Sequence, residues 1–223
     1  MQKITCKCDC SFDVEYEKTI DLDARPAVTE EIKKGAFLSF TCPSCRSKVN
    51  IELETEFVWK SKKTTLLFVP EKKRMECLAF CAGAVRIDAE NNKKVKTEFL
   101  KKGQTPVIGY PELADRIAVL DSGLDPEIIE AVKFFLLDNG KNIKGKQIQI
   151  LFEKFYDDVI EFHVHGLREK EVAVMRIPLN LYRSIEADRK AKKQKEVFQA
   201  LWLGPYLSYK NIHAEGDDHD ASV

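Results

Sequence analysis

The sequence predicts an α+β fold: a cysteine-bearing N-terminal ribbon of antiparallel strands, followed by helices and a small antiparallel sheet. Three observations carry this. Two short cysteine turns, in "ITCKCDCSFDV" (residues 4–14) and "FTCPSCRSKVNI" (40–51), each lead into a segment with apolar residues at strand spacing. Two segments between 110 and 140 begin with proline and stop at glycine, the punctuation of helices. A run from 146 to 179 reads strand, turn, strand, turn, strand. With 223 residues, 44% of them hydrophobic and 32% charged, the chain can bury the core of one large domain or two small ones.

The two cysteine turns align with each other. Ile4, Thr5 and Cys6 match Phe40, Thr41 and Cys42, and each closing cysteine, Cys8 or Cys45, is followed four residues later by an apolar residue, Phe12 or Val49. The alignment pairs Cys6 and Cys8 with Cys42 and Cys45 and leaves Cys10 opposite Ser47, where it has no ligand role. The alternatives pair Cys8 with Cys10, or span Cys6 to Cys10, and free another thiol. Four thiolates suit a tetrahedral zinc ion at about 2.3 Å per bond, and they also bind iron. Lys3, Lys7, Arg46 and Lys48 lie around the turns and offset the charge of such a centre. Pro43 pre-sets the second turn. Asp9 stands where a metal knuckle favours positive φ, which Asp tolerates; Arg46 takes the same place less comfortably. The expectation is a zinc ribbon with Cys6, Cys8, Cys42 and Cys45 as ligands.

The remaining elements follow from local pattern. "FDVEYEKTIDL" alternates as a half-buried strand, and "PAVTEEIKK" is a short helix from Pro26 to a stop at Gly35. "VNIELETEFVW" puts Val49, Ile51, Leu53 and Phe57 on one face and Glu52, Glu54 and Glu56 on the other; "KSKK" turns it and "TTLLFVP" returns. Cys77 and Cys81 share a helix face and read as buried thiols. "DAENNKKVK" reads as an exposed turn. Pro111 opens the next helix and Gly123 closes it; Asp125 caps a second, Pro126 takes its first position, and Gly140 ends it. Ile128, Val132, Phe135 and Leu136 form its apolar stripe. In the three-stranded run, Ile160, Phe162 and Val164 face one way, while His163 and His165 face solvent beside Glu161. "LNLYRSIEADRKAKKQKEVFQALW" reads as one long helix, whose basic stretch "RKAKKQK" (189–195) lies on an exposed face. The polar tail holds His213 and His219, which can bind metal only adventitiously.

"ITCKCDCSFDV", "TCPSC" and "ELADRIAVLDSGLDPEIIEAVK" (112–133) together resemble the CpXC family, small bacterial and archaeal proteins named for their cysteine hooks. The resemblance covers roughly the first 135 residues with gaps. The extra Cys10, Arg46 where glycine is common, and residues 71–105 depart from the pattern. It implies a paired-hook fold unit and implies no task, because the family's function is uncharacterised. The expected organisation is a zinc-ribbon-like CpXC domain at 1–70, a connecting segment at 71–110, an α+β segment at 111–210 and a mobile polar tail at 211–223.

Charge and motifs limit function. Thirty-six basic residues balance thirty-six acidic ones, without the basic excess of a dedicated nucleic-acid binder. The start has no apolar signal region, no run is long enough to span a bilayer, and seven cysteines suit metal binding in a reducing compartment. No phosphate loop, dinucleotide fingerprint, HExxH or nucleophile elbow occurs. The expectation is a non-enzymatic cytoplasmic zinc protein that binds a protein partner. A nucleic-acid-associated factor, or an enzyme with its site in the second half, are the alternatives.

Overall fold

The computed structural model describes residues 1–84, 86–87, 94–95, 99–138, 148–169 and 171–214. The fold is mixed α+β, in two compact units: Met1–Cys77 with Arg86–Ala114, and Leu78–Val85 with Asp115–Val223.

The first unit begins with a hairpin of β1 (Gln2–Thr5) and β2 (Ser11–Val14), then β3 (Thr19–Asp21) and α1 (Pro26–Lys33). A second hairpin pairs β4 (Ser39–Thr41) with β5 (Lys48–Asn50). β6 (Thr55–Trp59) and β7 (Thr64–Val69) follow, then α2 (Arg74–Cys81), which passes into the second unit at Leu78, the two-residue strands β8 (Arg86–Ile87) and β9 (Lys94–Val95), and β10 (Gln104–Ile108). α3 (Tyr110–Asp121) starts here and continues into the second unit. Pro26 opens α1 and Gly35, at φ 69°, closes it: Ala36 N–H bonds to Glu31 and Gly35 N–H to Ile32, a Schellman stop. Phe57, Phe68, Ile32 and Ile108 are fully buried in this unit's core.

Two long strands expected from the sequence are each split. "FDVEYEKTIDL" becomes β2 and β3, and "VNIELETEFVW" becomes β5 and β6. The reason is the same in both. The first half pairs within a cysteine hairpin, the second within a four-stranded sheet of order β10-β7-β6-β3, so the chain must step from one sheet to another. Between β5 and β6 the step is fixed by Glu52, whose carboxylate accepts the backbone N–H groups of Glu71 and Tyr110. The sheet is also mixed, since β3 and β10 run parallel to their neighbours while β6 and β7 form the expected antiparallel pair.

The second unit holds α4 (Pro126–Asp138), a meander of β11 (Gln149–Tyr156), β12 (Val159–Arg168) and β13 (Glu171–Pro178), then α5 (Leu179–Lys190), α6 (Lys195–Ala200), the small hairpin β14 (Trp202–Leu203) and β15 (Tyr206–Leu207), and α7 (Lys210–Ala214). Asp125 caps α4 by accepting the Glu127 N–H at 2.8 Å. Asp157 and Asp158, at φ 45° and 60°, make the tight turn between β11 and β12. Ile128, Val132, Ile160, Phe162 and Val164 join one core, as their spacing predicts; Phe135 and Leu136 pack at its edge. Of "DAENNKKVK" (88–96), expected as a turn, only Lys94 and Val95 are described, and they form β9 paired with β8; Gly140 and most of the tail lie outside the described residues.

The single long helix expected over 179–202 is two helices. α5 stops in a second Schellman geometry, Lys193 N–H to Asp188 and Lys192 N–H to Arg189, with Lys192 at φ 57° and Gln194 at φ 50°. A straight continuation would stack Arg189 on Lys192 and Lys193, like charges one turn apart. The bend instead brings Phe198 and Leu201 into the core.

A buried ionic network, not foreseen from sequence, fastens the second unit's end. Lys133 Nζ donates to Asp115 Oδ2 at 2.7 Å and to Glu130 Oε1 at 2.8 Å. The second Asp115 oxygen accepts the Phe152 N–H, and the second Glu130 oxygen accepts the Tyr209 N–H at 2.9 Å. Arg116 donates to the Leu207 carbonyl at 3.0 Å. Two cations thus balance two carboxylates out of water. Against its burial, the two carboxylates hold the Lys133 ammonium above its ordinary range. Burial pushes Asp115 up, whereas for Glu130 burial is outweighed by Lys133 and Arg116, which hold it down.

Candidate metal centre

The two cysteine hairpins are built alike. In the first, Cys6 N–H donates to the Cys10 carbonyl and Asp9 N–H to the Cys6 carbonyl, both at 2.9 Å. In the second, Cys42 N–H donates to the Ser47 carbonyl at 2.9 Å and Arg46 N–H to the Cys42 carbonyl at 3.0 Å. Asp9 and Arg46 both adopt positive φ, 65° and 59°. The strand registers continue the match, with Ile4 opposite Phe12 and Phe40 opposite Val49. The first turn is one residue shorter, and Cys10 stands where the second hairpin has Ser47.

This geometry brings Cys6, Cys8, Cys42 and Cys45 together, their sulfurs all within 4.8 Å of one another. Cys6 Sγ lies 3.6 Å from Cys45 Sγ, and Cys8 Sγ lies 3.7 Å from Cys42 Sγ. A tetrahedron of sulfurs bonded at about 2.3 Å to zinc has edges of about 3.8 Å. The donor set and these spacings fit a tetrahedral, thiolate-binding metal. Cys6 and Cys42 are buried and Cys8 and Cys45 exposed, so one side of the cluster faces the protein and the other water. Lys3, Lys7, Arg46 and Lys48 are all exposed around it. No disulfide joins Cys6, Cys8, Cys10, Cys42 or Cys45.

The thiols are electrostatically unequal. The Ser47 hydroxyl, 3.3 Å away, and then the Ser47 N–H and the Cys8 and Cys6 thiols draw Cys45 down to about 6. The Cys45 N–H holds Cys42 below its usual range. The Cys8 N–H favours the Cys6 thiolate, but burial and the neighbouring Cys45, Cys42 and Cys8 thiols outweigh it and push Cys6 up to about 12. Burial, then the Cys42 side chain, raise Cys10. Four thiols packed this closely resist full ionisation unless a cation shares their charge.

Two contributors are not ligands. The Ser47 hydroxyl serves Cys45, and a serine two residues after a hook cysteine is the available sequence signal. The Cys10 carbonyl anchors the first turn through the Cys6 N–H.

The other sequence candidates lie elsewhere. Cys77 and Cys81 are buried along α2, in keeping with a packing role; the Cys81 carbonyl also lies only 2.3 Å from where a β-carbon on Gly204 would stand. His163 and His165 are half-buried on the meander's outer face, with His163 Nδ1 3.3 Å from Glu153 Oε2. Among the described residues, no group of three metal-ligating side chains includes them. The basic stretch 189–195 crosses the break between α5 and α6, where Arg189 pairs with Glu127, Lys190 with Glu186 and Lys193 with Asp188. His219 lies outside the described residues, and of His213 only the backbone is described. No helix among the described residues is long and apolar enough to cross a membrane.

Comparison with known proteins agrees with the hooks. The CpXC family, described as CpXC protein, matches residues 4–133. A protein of Treponema pallidum (strain Nichols), described only as "Uncharacterized protein", is 44% identical over 219 residues, which span 96% of this chain and 100% of that protein. No solved structure matches.

Proposed function

The chain belongs to the CpXC family, and from that premise we propose that its N-terminal thiols hold one structural zinc ion in a zinc-ribbon-like unit that serves as a non-enzymatic protein-interaction module. The observation that carries the zinc is the cluster of four sulfurs, with edges of 3.6 and 3.7 Å close to those of a tetrathiolate site. Four thiolates complete a tetrahedron and leave no position for water or substrate, which catalytic zinc needs. That favours a structural ion and places any task on the surface it stabilises. Closely spaced thiols that gather into a metal-binding cluster suit a reducing compartment, the cytoplasm on this reading. Ion pairing of three of the five basic residues in 189–195 weakens a nucleic-acid role for that stretch.

Elemental analysis of freshly purified, reduced protein tests the metal. One zinc per chain is expected, lost in Cys42→Ser. Stoichiometric iron would replace zinc by iron in the same site, and the absence of both would end the reading. The partner is tested by identifying what co-purifies with the parent from its own cells but not with the metal-stripped chain.

A further inference from the structure

In the first unit a cleft of about 520 Å³ opens beside the second cysteine hairpin, lined by Met1, segments 15–17, Ile20, Arg25, Glu31 and 36–40. Its lining mixes polar and apolar groups: Ile20, Phe37 and Leu38 are buried behind it, and the half-buried Tyr16 and Phe40 supply its accessible aromatic surface. Leu38 is held at φ 56°, a strained backbone that few side chains adopt, where the chain turns from α1 toward β4. The rim is acidic. Glu15, Glu17 and Glu31 are exposed there; Arg25 pairs with Glu17, and the Glu15 and Glu31 carboxylates have no partner among the described residues. Three carboxylates against the Arg25 guanidinium and the Met1 amino group leave a local negative surplus beside Tyr16 and Phe40 in a chain of zero net charge.

One wall is also an open strand edge. β4 pairs only with β5 among the described residues. The bonds from Cys42 N–H to Ser47 and from Ile51 N–H to Leu38 fix which pairs of this hairpin are hydrogen-bonded. By the antiparallel alternation, the backbone groups of Ser39 and Thr41 point away from β5. The Ser39 N–H is used by Ala36, which leaves the Ser39 carbonyl and both Thr41 groups facing outward. An extended chain can add to such an edge while its side chains fill the adjoining pockets.

Resting on the reading of the chain as an interaction module, we propose that this cleft docks an extended peptide segment of a partner protein that alternates apolar with basic residues. The backbone adds to the edge of β4, the apolar side chains pack against Tyr16 and Phe40, and lysine or arginine heads reach Glu15 and Glu31 along their aliphatic stems.

The test titrates fluorescein-labelled decapeptides, alternating lysine or arginine with valine, leucine or phenylalanine, with the full-length, reduced, metal-loaded chain and follows anisotropy. Matched peptides with glutamate in the basic positions are the control. At least one basic peptide binds and its control does not, and added salt weakens the binding. The double variant Glu15→Gln with Glu31→Gln keeps its metal content and melting temperature and binds about three- to tenfold more weakly. Equal affinity of parent and double variant, or no basic peptide binding better than its control, overturns the proposal. So does displacement of a bound peptide by equimolar spermidine, which would assign the cleft to a small polyamine. Loss of peptide binding with zinc retained removes this inference alone, whereas absence of zinc and iron removes the metal reading and leaves the peptide titration to be judged by itself.

Discussion

Asp9 and Arg46 occupy the same turn in two separate hairpins, at φ 65° and 59°, each one residue past a closing cysteine. Each donates its N–H back to the carbonyl of the opening cysteine, at 2.9 and 3.0 Å. A turn of this kind needs a left-handed residue just past the second sulfur, because only that backbone turns the chain back into a strand while both sulfurs keep facing one point. Two hairpins with this arrangement bring four sulfurs together, and the chain's fifth N-terminal thiol, Cys10, falls one residue beyond.

Cys10→Ser should therefore leave metal content and thermal stability nearly unchanged. What Cys10 gives the turn is its carbonyl, which serine keeps. Cys42→Ser and Cys45→Ser should lose metal most cleanly. Cys8→Ser should weaken retention unless the Cys10 thiol, close enough to Cys42 to interact with it, takes its place. The measurement is zinc per chain after competition with a chelator. Rapid loss from Cys10→Ser, with Cys8→Ser behaving like the parent, would show that the ligands of the first hook are wrongly assigned.

Arg46→Gly should stabilise the metal-loaded protein by about 0.5–1 kcal/mol, since glycine adopts positive φ without the steric cost that a β-carbon meets there. Asp9→Gly should gain less, because aspartate already tolerates that region. Chemical denaturation of the three proteins checks the order. A destabilised Arg46→Gly would mean that the guanidinium's charge beside the thiolates outweighs the backbone.

The hooks were legible because their chemistry is local: two thiols, a turn and an apolar anchor lie within eight residues, and Ile4, Phe12, Phe40 and Val49 mark the register. Helices closed by glycine were legible for the same reason, as at Gly35 and Gly123, which end α1 and α3 at φ 69° and 72°. The end of α5 was not, because lysine fills the left-handed position that glycine filled elsewhere. Strand breaks near 15–18 and 51–54 were hidden because alternation reports a face and not a sheet; the apolar rhythm passes unbroken from a hairpin into a different sheet. The Asp115–Lys133–Glu130 network was hidden because charge on a helix reads as solvated surface, and only tertiary packing puts Lys133 at 2% exposure.

Lys133→Met should destabilise the protein by about 3–5 kcal/mol, because it leaves Asp115 and Glu130 buried without their shared cation. The pH window of its response should also change. In the parent, Lys133 is raised above its ordinary range, so its contribution is complete below the unfolded lysine value and is lost only as pH climbs through the raised one. In the variant both carboxylates are raised by burial, the folded state takes up protons more readily than the unfolded, and stability rises as pH falls from 7 toward 5. Melting temperatures at the two pH values decide it. A variant that loses stability on acidification from pH 7 to 5 would show that the carboxylates find another counter-charge.

Removing the metal should loosen the hooks and spare the meander. β1–β2 and β4–β5 are two-stranded hairpins of three or four residues a strand, and such hairpins are marginal in water without something to hold them. In small zinc domains the ion supplies about 10–16 kcal/mol of apparent binding free energy, far more than strands of this length can. β6 and β7 differ, since they sit inside a four-stranded sheet and bury Phe57 and Phe68 completely. β11 to β13 belong to the second unit and pack on their own core through Phe152, Phe162 and Ile177. Amide hydrogen exchange with and without chelator, under reducing conditions, should therefore show faster exchange in 2–14 and 39–50, a smaller change in 55–69 and none in 149–178. Uniform acceleration across all four segments would make the metal a support of the whole chain, and no acceleration in the hooks would mean that the hairpins stand without it.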